Sequence, residues 1–121
     1  MTDIDVAAEN KRLFLEAFTR FAEGDTEVLR QIIREDFVSH VPGAPAGRDA
    51  WIEFIKNSPI ASATLELIHV VADPEFVVAH YHVTPPEGGL SEAVVDIWRF
   101  ENFLIVEHWA VSNPLEPAPG R

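Results

Sequence analysis

The chain has no cysteine, one methionine and one tyrosine among its 121 residues, and its only lysines are Lys11 and Lys56. Without cysteine there is no disulfide, no thiolate nucleophile and no cysteine-ligated zinc, so stability rests on the core alone. Bases are scarce: nine Lys and Arg stand against twenty Asp and Glu, a formal net charge of −11. Neutralising nucleic-acid phosphates or an anionic membrane surface takes clustered Lys and Arg, so neither is an expected partner. The acids are scattered rather than blocked and read as a solvated surface. No apolar run approaches the roughly 18 residues of a membrane span, and the opening stretch MTDIDVAAENKR carries no apolar signal core. The expected location is the cytoplasm.

What is present is enough for one domain, since 47 % of the residues are hydrophobic and a chain of this length buries a core without staples. Val6, Leu13, Phe14, Ala17, Phe18 and Phe21 recur at helical spacing and predict an amphipathic helix ended by Gly24. Asp25 or Thr26 caps a second helix with Val28, Leu29, Ile32 and Ile33 on its buried face. A short extended piece, Phe37 to Val41, leads into the loop PGAPAGR. Asp49 opens a third helix bearing Trp51, Phe54 and Ile55, which Pro59 closes. From Thr64 onward four segments rich in Val, Ile, Thr and aromatics, 64–72, 76–84, 90–100 and 104–112, predict an antiparallel meander. The expected architecture is α+β, with N-terminal helices covering one face of a curved sheet. Residues 1–112 form the single domain and 113–121 a Pro-rich tail.

Asp96 stands between Val95 and Ile97 in the third of these strands. Reading Glu101-Asn102-Phe103 as a three-residue loop pairs Phe100 with Leu104 and sets Asp96 across from His108. Reading Pro85 to Gly89 as the preceding loop pairs Thr84 with Leu90, which gathers His80, His82, Asp96, Trp98 and His108 on one face. A slip of one residue at either turn sends a whole strand's side chains to the other side. The opposite face then carries Val77, Ala79, Tyr81, Val83, Val95, Ile97, Trp109 and Val111. An apolar surface of that extent predicts a homodimer packed sheet to sheet.

The segments FVSHVPGAPAGRDAWIEF (37–54), AHYHV (79–83) and VVDIWRFENFLIVEHW (94–109), with the order of elements, resemble the SnoaL-like polyketide cyclase group. That group belongs to the nuclear-transport-factor-like superfamily, with ketosteroid isomerase and limonene epoxide hydrolase. The resemblance implies a cone-shaped α+β barrel, a deep apolar pocket between helices and concave sheet, and a dimer. It also implies a pocket-facing histidine at His40. Three positions depart from the group's pattern. Ala110 follows His108-Trp109 where the cyclases have their acid/base aspartate, while Asp96 falls where their second active-site residue, a histidine, would be. Phe103 occupies a turn position that is normally glycine in the group.

A carboxylate in an apolar cavity has its charged form disfavoured, which brings it into the working range of a general acid or base. Asp96 with His108 is the expected catalytic pair, suited to removing a proton next to a carbonyl. His80 or His82 would donate to the enolate oxygen. His40, His80, His82, Trp98 and Trp51 are the expected substrate contacts, whereas His69 reads as structural. The function read from these residues is isomerisation or aldol-type ring closure of a small apolar carbonyl compound, without a cofactor. One alternative is a non-catalytic binder of small hydrophobic ligands, suggested by Ala110. Another is an epoxide hydrolase-like enzyme, disfavoured because no Asp-Arg-Asp set lies on the strands. A metal held by His80, His82 and Asp96 or His108 is a weaker alternative, since the spacing matches no recognised site.

Overall fold

In the computed structural model, which describes residues 1–87 and 89–115, helix α1 spans Asp3–Ala22. Its start is a capping box, with the Asp5 amide donating to Thr2 Oγ1 at 3.1 Å and the Thr2 amide to the Asp5 carboxylate at 3.2 Å. Its inward stripe is Phe14, Ala17 and Phe21. The chain leaves the helix through Gly24 at φ +100°, a conformation that side-chain-bearing residues rarely adopt.

The second helical segment is shorter than its apolar pattern predicts. A 3-10 turn, Thr26–Val28, runs into α2, Leu29–Ile32, and stops there. Ile33, expected on the helix face, has extended backbone angles and opens strand β1, Ile33–Ser39. With the helix ended early, β1 delivers Ile33 and Phe37, exposed by 1 % and 0 %, to the core. Helix α3, Arg48–Lys56, follows the Pro-Gly loop and buries Trp51 and Ile52, and a 3-10 turn at Pro59–Ser62 precedes the sheet strands.

Strands β2 (Thr64–Ala72), β3 (Phe76–Thr84), β4 (Glu92–Glu101) and β5 (Leu104–Pro114) form the expected meander. The extended piece before the loop joins them, since β1 pairs in parallel with β5 and the sheet order is β1-β5-β4-β3-β2. The sheet is therefore mixed, with β1 and β2 as edges, and the helices rather than strand closure complete the cone. Strand β5 reaches further than expected: Asn113 and Pro114 pair with Ala93 and Glu92, and the Leu115 amide donates to the Ser91 carbonyl. The rest of the predicted tail, 116–121, lies outside the described residues. Among the described residues no helix is long and apolar enough to cross a membrane.

The turn between β4 and β5 corrects the predicted register twice. Only Asn102 and Phe103 form the turn, both at positive φ (49° and 65°), and Glu101 pairs with Leu104. That change alone would turn Asp96 to the outer face. A bulge reverses it: Phe100 pairs with Ile105 but Arg99 pairs with Glu107, leaving Val106 as the extra residue. Asp96 thus pairs with Ala110 and Trp98 with His108, so Asp96 and His108 share the inner face on a diagonal rather than head on.

Strand β3 has no such compensation. Val83 pairs with Glu92 and Ala79 with Asp96, one residue away from the predicted alignment. Val77, Ala79, Tyr81 and Val83 therefore face the core instead of the outside, while Val78, His80 and His82 face outward. This alignment buries Val77 and Ala79 completely and Tyr81 to 3 % exposure, which an inward row of histidines could not match. The outer surface expected to receive a second copy is correspondingly reduced to Val78, Val95, Ile97, Trp109 and Val111, interrupted by His80 and His82.

Phe103 holds a left-handed backbone at a type I′ turn position where glycine is favoured. Phe103→Gly should therefore stabilise the protein by about 1 kcal/mol in urea denaturation. A loss of stability would mean that packing of the ring outweighs the backbone strain.

Candidate functional site

Between α1, α2, α3 and the inner face of the sheet lies a cavity of about 100 Å³. Phe14, Phe18, Phe21, Leu29, Trp51, Leu65 and Trp98 are among its walls, and its polar side chains are Tyr81, Asp96 and His108. Among the described residues no Lys or Arg lines it. Each polar group comes from a different strand, β3, β4 and β5, and reaches the cavity because the registers above align their inner-face positions.

Asp96 is the hub. Tyr81 donates its hydroxyl to Asp96 Oδ2 at 2.6 Å, and His108 Nε2 lies 3.0 Å from Oδ1. Asp96 and His108 are exposed by only 7 % and 5 %. Burial first, and then the adjacent Asp96 carboxylate, push the Tyr81 phenol far above its ordinary value, so Tyr81 stays a protonated donor. A carboxylate has about four lone-pair positions and among the described residues this one uses two, one on each oxygen.

Aromatic rings fix the imidazole. Trp98 stacks on His108 with ring centres 4.0 Å apart and planes inclined by 25°. Trp51 meets the edges of both, at 5.9 Å from His108 and 6.1 Å from Trp98. Trp98 Nε1 is buried without a hydrogen-bond partner among the described residues. On the far side of the imidazole, Ser39 Oγ lies 2.9 Å from Nδ1.

Four of the predicted site residues are brought together: Asp96, His108, Trp51 and Trp98 all face the cavity. Three are not. His40 follows inward-facing Ser39 and so points outward, where it stacks on Trp109 at 4.9 Å and its Nε2 contacts Glu107 at 2.6 Å. His80 and His82 lie across the sheet with β3's outward row, and His80 Nδ1 is 3.1 Å from His69 Nδ1. A metal shared by His80, His82 and Asp96 or His108 is therefore ruled out by the sheet between them. Among the described residues no three His, Cys, Asp or Glu side chains converge as metal ligands.

Two members of the polar network escaped the sequence reading. Tyr81 is one of them, placed on the outer face by the misaligned β3, although a lone tyrosine flanked by histidines in AHYHV marked the strand. Ser39 is the other, and nothing local to SHVPG signals a partner 69 residues away.

The SnoaL-like domain family model matches residues 14–108. No curated protein sequence matches the chain. Among solved structures, an NTF-2-like protein of unknown function from Burkholderia xenovorans LB400 is similar with a TM-score of 0.83 at 19 % identity, over 93 % of this chain and 89 % of that one. A provisionally named ketosteroid isomerase from Kribbella flavida DSM 17836 is similar with a TM-score of 0.78 at 18 % identity, over 95 % of this chain and 86 % of the other. IdmH from Streptomyces antibioticus, provisionally a polyketide cyclase, has a TM-score of 0.66 at 23 % identity, covering 86 % of this chain and 91 % of IdmH. At these identities the likeness establishes the fold.

Tyr81→Phe removes one of two donors to a buried carboxylate and should cost about 2 kcal/mol at pH 7 in urea denaturation. Because the folded phenol is raised, unfolded chains lose its proton first, so wild-type stability declines above about pH 10 and its margin over the variant narrows there. Tyr81 is the sole tyrosine, so tyrosinate absorbance should appear together with unfolding. Tyrosinate forming in the folded protein near pH 10 would contradict this.

Proposed function

The chain belongs to the SnoaL-like domain family, and from that premise we propose that it is a cofactor-independent acid/base enzyme acting on a small, apolar carbonyl compound. The observation that carries this reading is a buried carboxylate, Asp96, with lone-pair positions unused among the described residues, opening onto a cavity whose other polar side chains are Tyr81 and His108 and whose remaining walls are aliphatic and aromatic. In this role Asp96 removes a proton from the carbon next to the substrate carbonyl, and the enolate re-protonates or attacks a second carbonyl. Exclusion of water strengthens each electrostatic contact in the step. His80 and His82 are across the sheet, so they are not the enolate donors of this mechanism. Tyr81 lines the same cavity and gives its one hydroxyl hydrogen to Asp96 Oδ2 at rest, so in this mechanism it turns to the developing oxyanion only as Asp96 takes up the substrate proton.

The absence of Lys and Arg from the described lining favours a neutral substrate over a carboxylate or phosphate. Volume sets its size. At about 100 Å³ the cavity is well below the roughly 300 Å³ at which drug-sized pockets begin, which favours one small ring over a fused polycycle.

A second reading, a non-catalytic binder, is favoured by one observation: both Asp96 oxygens already accept a hydrogen bond. Exchange chemistry separates the two. Cyclohexanone, 2-cyclohexenone and 3-methyl-2-cyclohexenone incubated with the protein in D2O should exchange their acidic C–H protons faster than in buffer, as followed by proton NMR. Asp96→Asn should lower that rate about 10² to 10⁴-fold. Saturable binding without exchange would support the binder, and neither binding nor exchange across the panel would overturn both readings.

A further inference from the structure

Ser39 does not line the cavity, yet it is 8 % exposed and its hydroxyl closes the polar network from the side away from any ligand. Its Oγ also accepts the Val41 amide hydrogen at 3.3 Å. We propose, deepening the acid/base reading, that Ser39 is a positioning residue that fixes His108 as its Nε2–H tautomer and thereby holds Asp96 as a resting base.

The hydrogen count carries the inference. Both imidazole nitrogens of His108 are committed, Nδ1 to Ser39 and Nε2 to Asp96. If Ser39 donates to Nδ1, Nε2 carries the hydrogen and gives it to an ionised Asp96, while Tyr81 gives its own to the other oxygen. Every donor then has an acceptor. If Nδ1 carried the hydrogen instead, Ser39 Oγ would have to accept from both Nδ1 and the Val41 amide. Its own hydroxyl hydrogen would then have no acceptor among its partners in the described residues. Nε2 would become an acceptor and Asp96 would need a proton to meet it. An imidazolium leaves the Ser39 hydrogen in the same position. Only the first arrangement satisfies the network, and it aims the donors from Val41 through Ser39 and His108 at Asp96.

The order of proton transfers follows. A site resting in this state begins by taking a proton from its ligand. A reaction that must begin with a donated proton, such as acid-assisted epoxide opening, would start from the wrong state of Asp96. The protonated Tyr81, kept so by burial and by Asp96, fits the same assignment because in the resting site it donates to the carboxylate.

The test is a long-range proton–nitrogen NMR spectrum of the protein labelled with ¹⁵N-histidine at neutral pH, with His108 assigned through His108→Gln. The expected pattern is an unprotonated Nδ1 and a protonated, slowly exchanging Nε2. In Ser39→Ala the Nε2–H signal should broaden with exchange and the two nitrogens should average, while Ser39→Thr, which keeps the hydroxyl, should restore the wild-type pattern. A wild-type spectrum with hydrogen on Nδ1, or on both nitrogens, overturns the proposal. So does a Ser39→Ala variant that has native amide resonances and an unchanged His108 pattern. The spectrum needs no ligand and no turnover, so a failed ketone assay leaves this outcome independent.

Discussion

The structure depends on satisfying one charge that its own core buries. An ionised carboxylate taken out of water costs several kcal/mol unless donors replace the lost solvent. Asp96 receives them from Tyr81 on β3 and His108 on β5, so the three central strands are joined by side chains as well as by the ladder. Ser39 extends the connection to β1, the one strand supplied by the helical half of the chain. A partner lost from such a network leaves a buried group unsatisfied, which gives each of these registers an energetic reason to be unique.

Two local devices make that network reachable. The turn at Asn102-Phe103 and the bulge at Val106 each shift β5 by one residue relative to a simple three-residue hairpin. Together they return His108 to the inner face and move it two positions along, to a diagonal from Asp96. The diagonal leaves Ala110 and Ala79 as the residues paired directly with Asp96. The stacked Trp98 and the edge of Trp51 then hold the imidazole plane. Apolar walls from α1 and α3 complete the cavity, which no Lys or Arg lines among the described residues.

Much of this was legible from residue order. The α+β arrangement, the meander and the identity of Asp96, His108, Trp51 and Trp98 as inner-face residues follow from periodicity and from parity along β4 and β5. Parity survived there because two one-residue shifts cancel. On β3 a single shift remained, so Tyr81 exchanged faces with His80 and His82. Turn length cannot be read from Pro85 to Gly89 alone, because pairing that begins at Val83 and Glu92 is set by which row packs better against α1. Phe18 against Tyr81, at 5.4 Å edge to face, belongs to that packing. Strand β1 was read as a short extended piece, since its parallel pairing with β5 is a long-range contact without a local signature. His40, which the family resemblance implied to face the pocket, points outward because the parallel pairing of Ser39 with His108 turns Ser39 inward.

The account's central claim is that Asp96 faces a space a small ketone can enter. The most direct measurement is the ¹³Cγ resonance of Asp96, assigned by its absence in Asp96→Asn, followed at constant pH while 2-cyclohexenone is added. The account predicts a saturable shift of that resonance accompanied by shifts of the His108 and Trp98 ring signals. A protein that binds the ketone while the Asp96 resonance stays fixed, or that gives no response at any site, would contradict it.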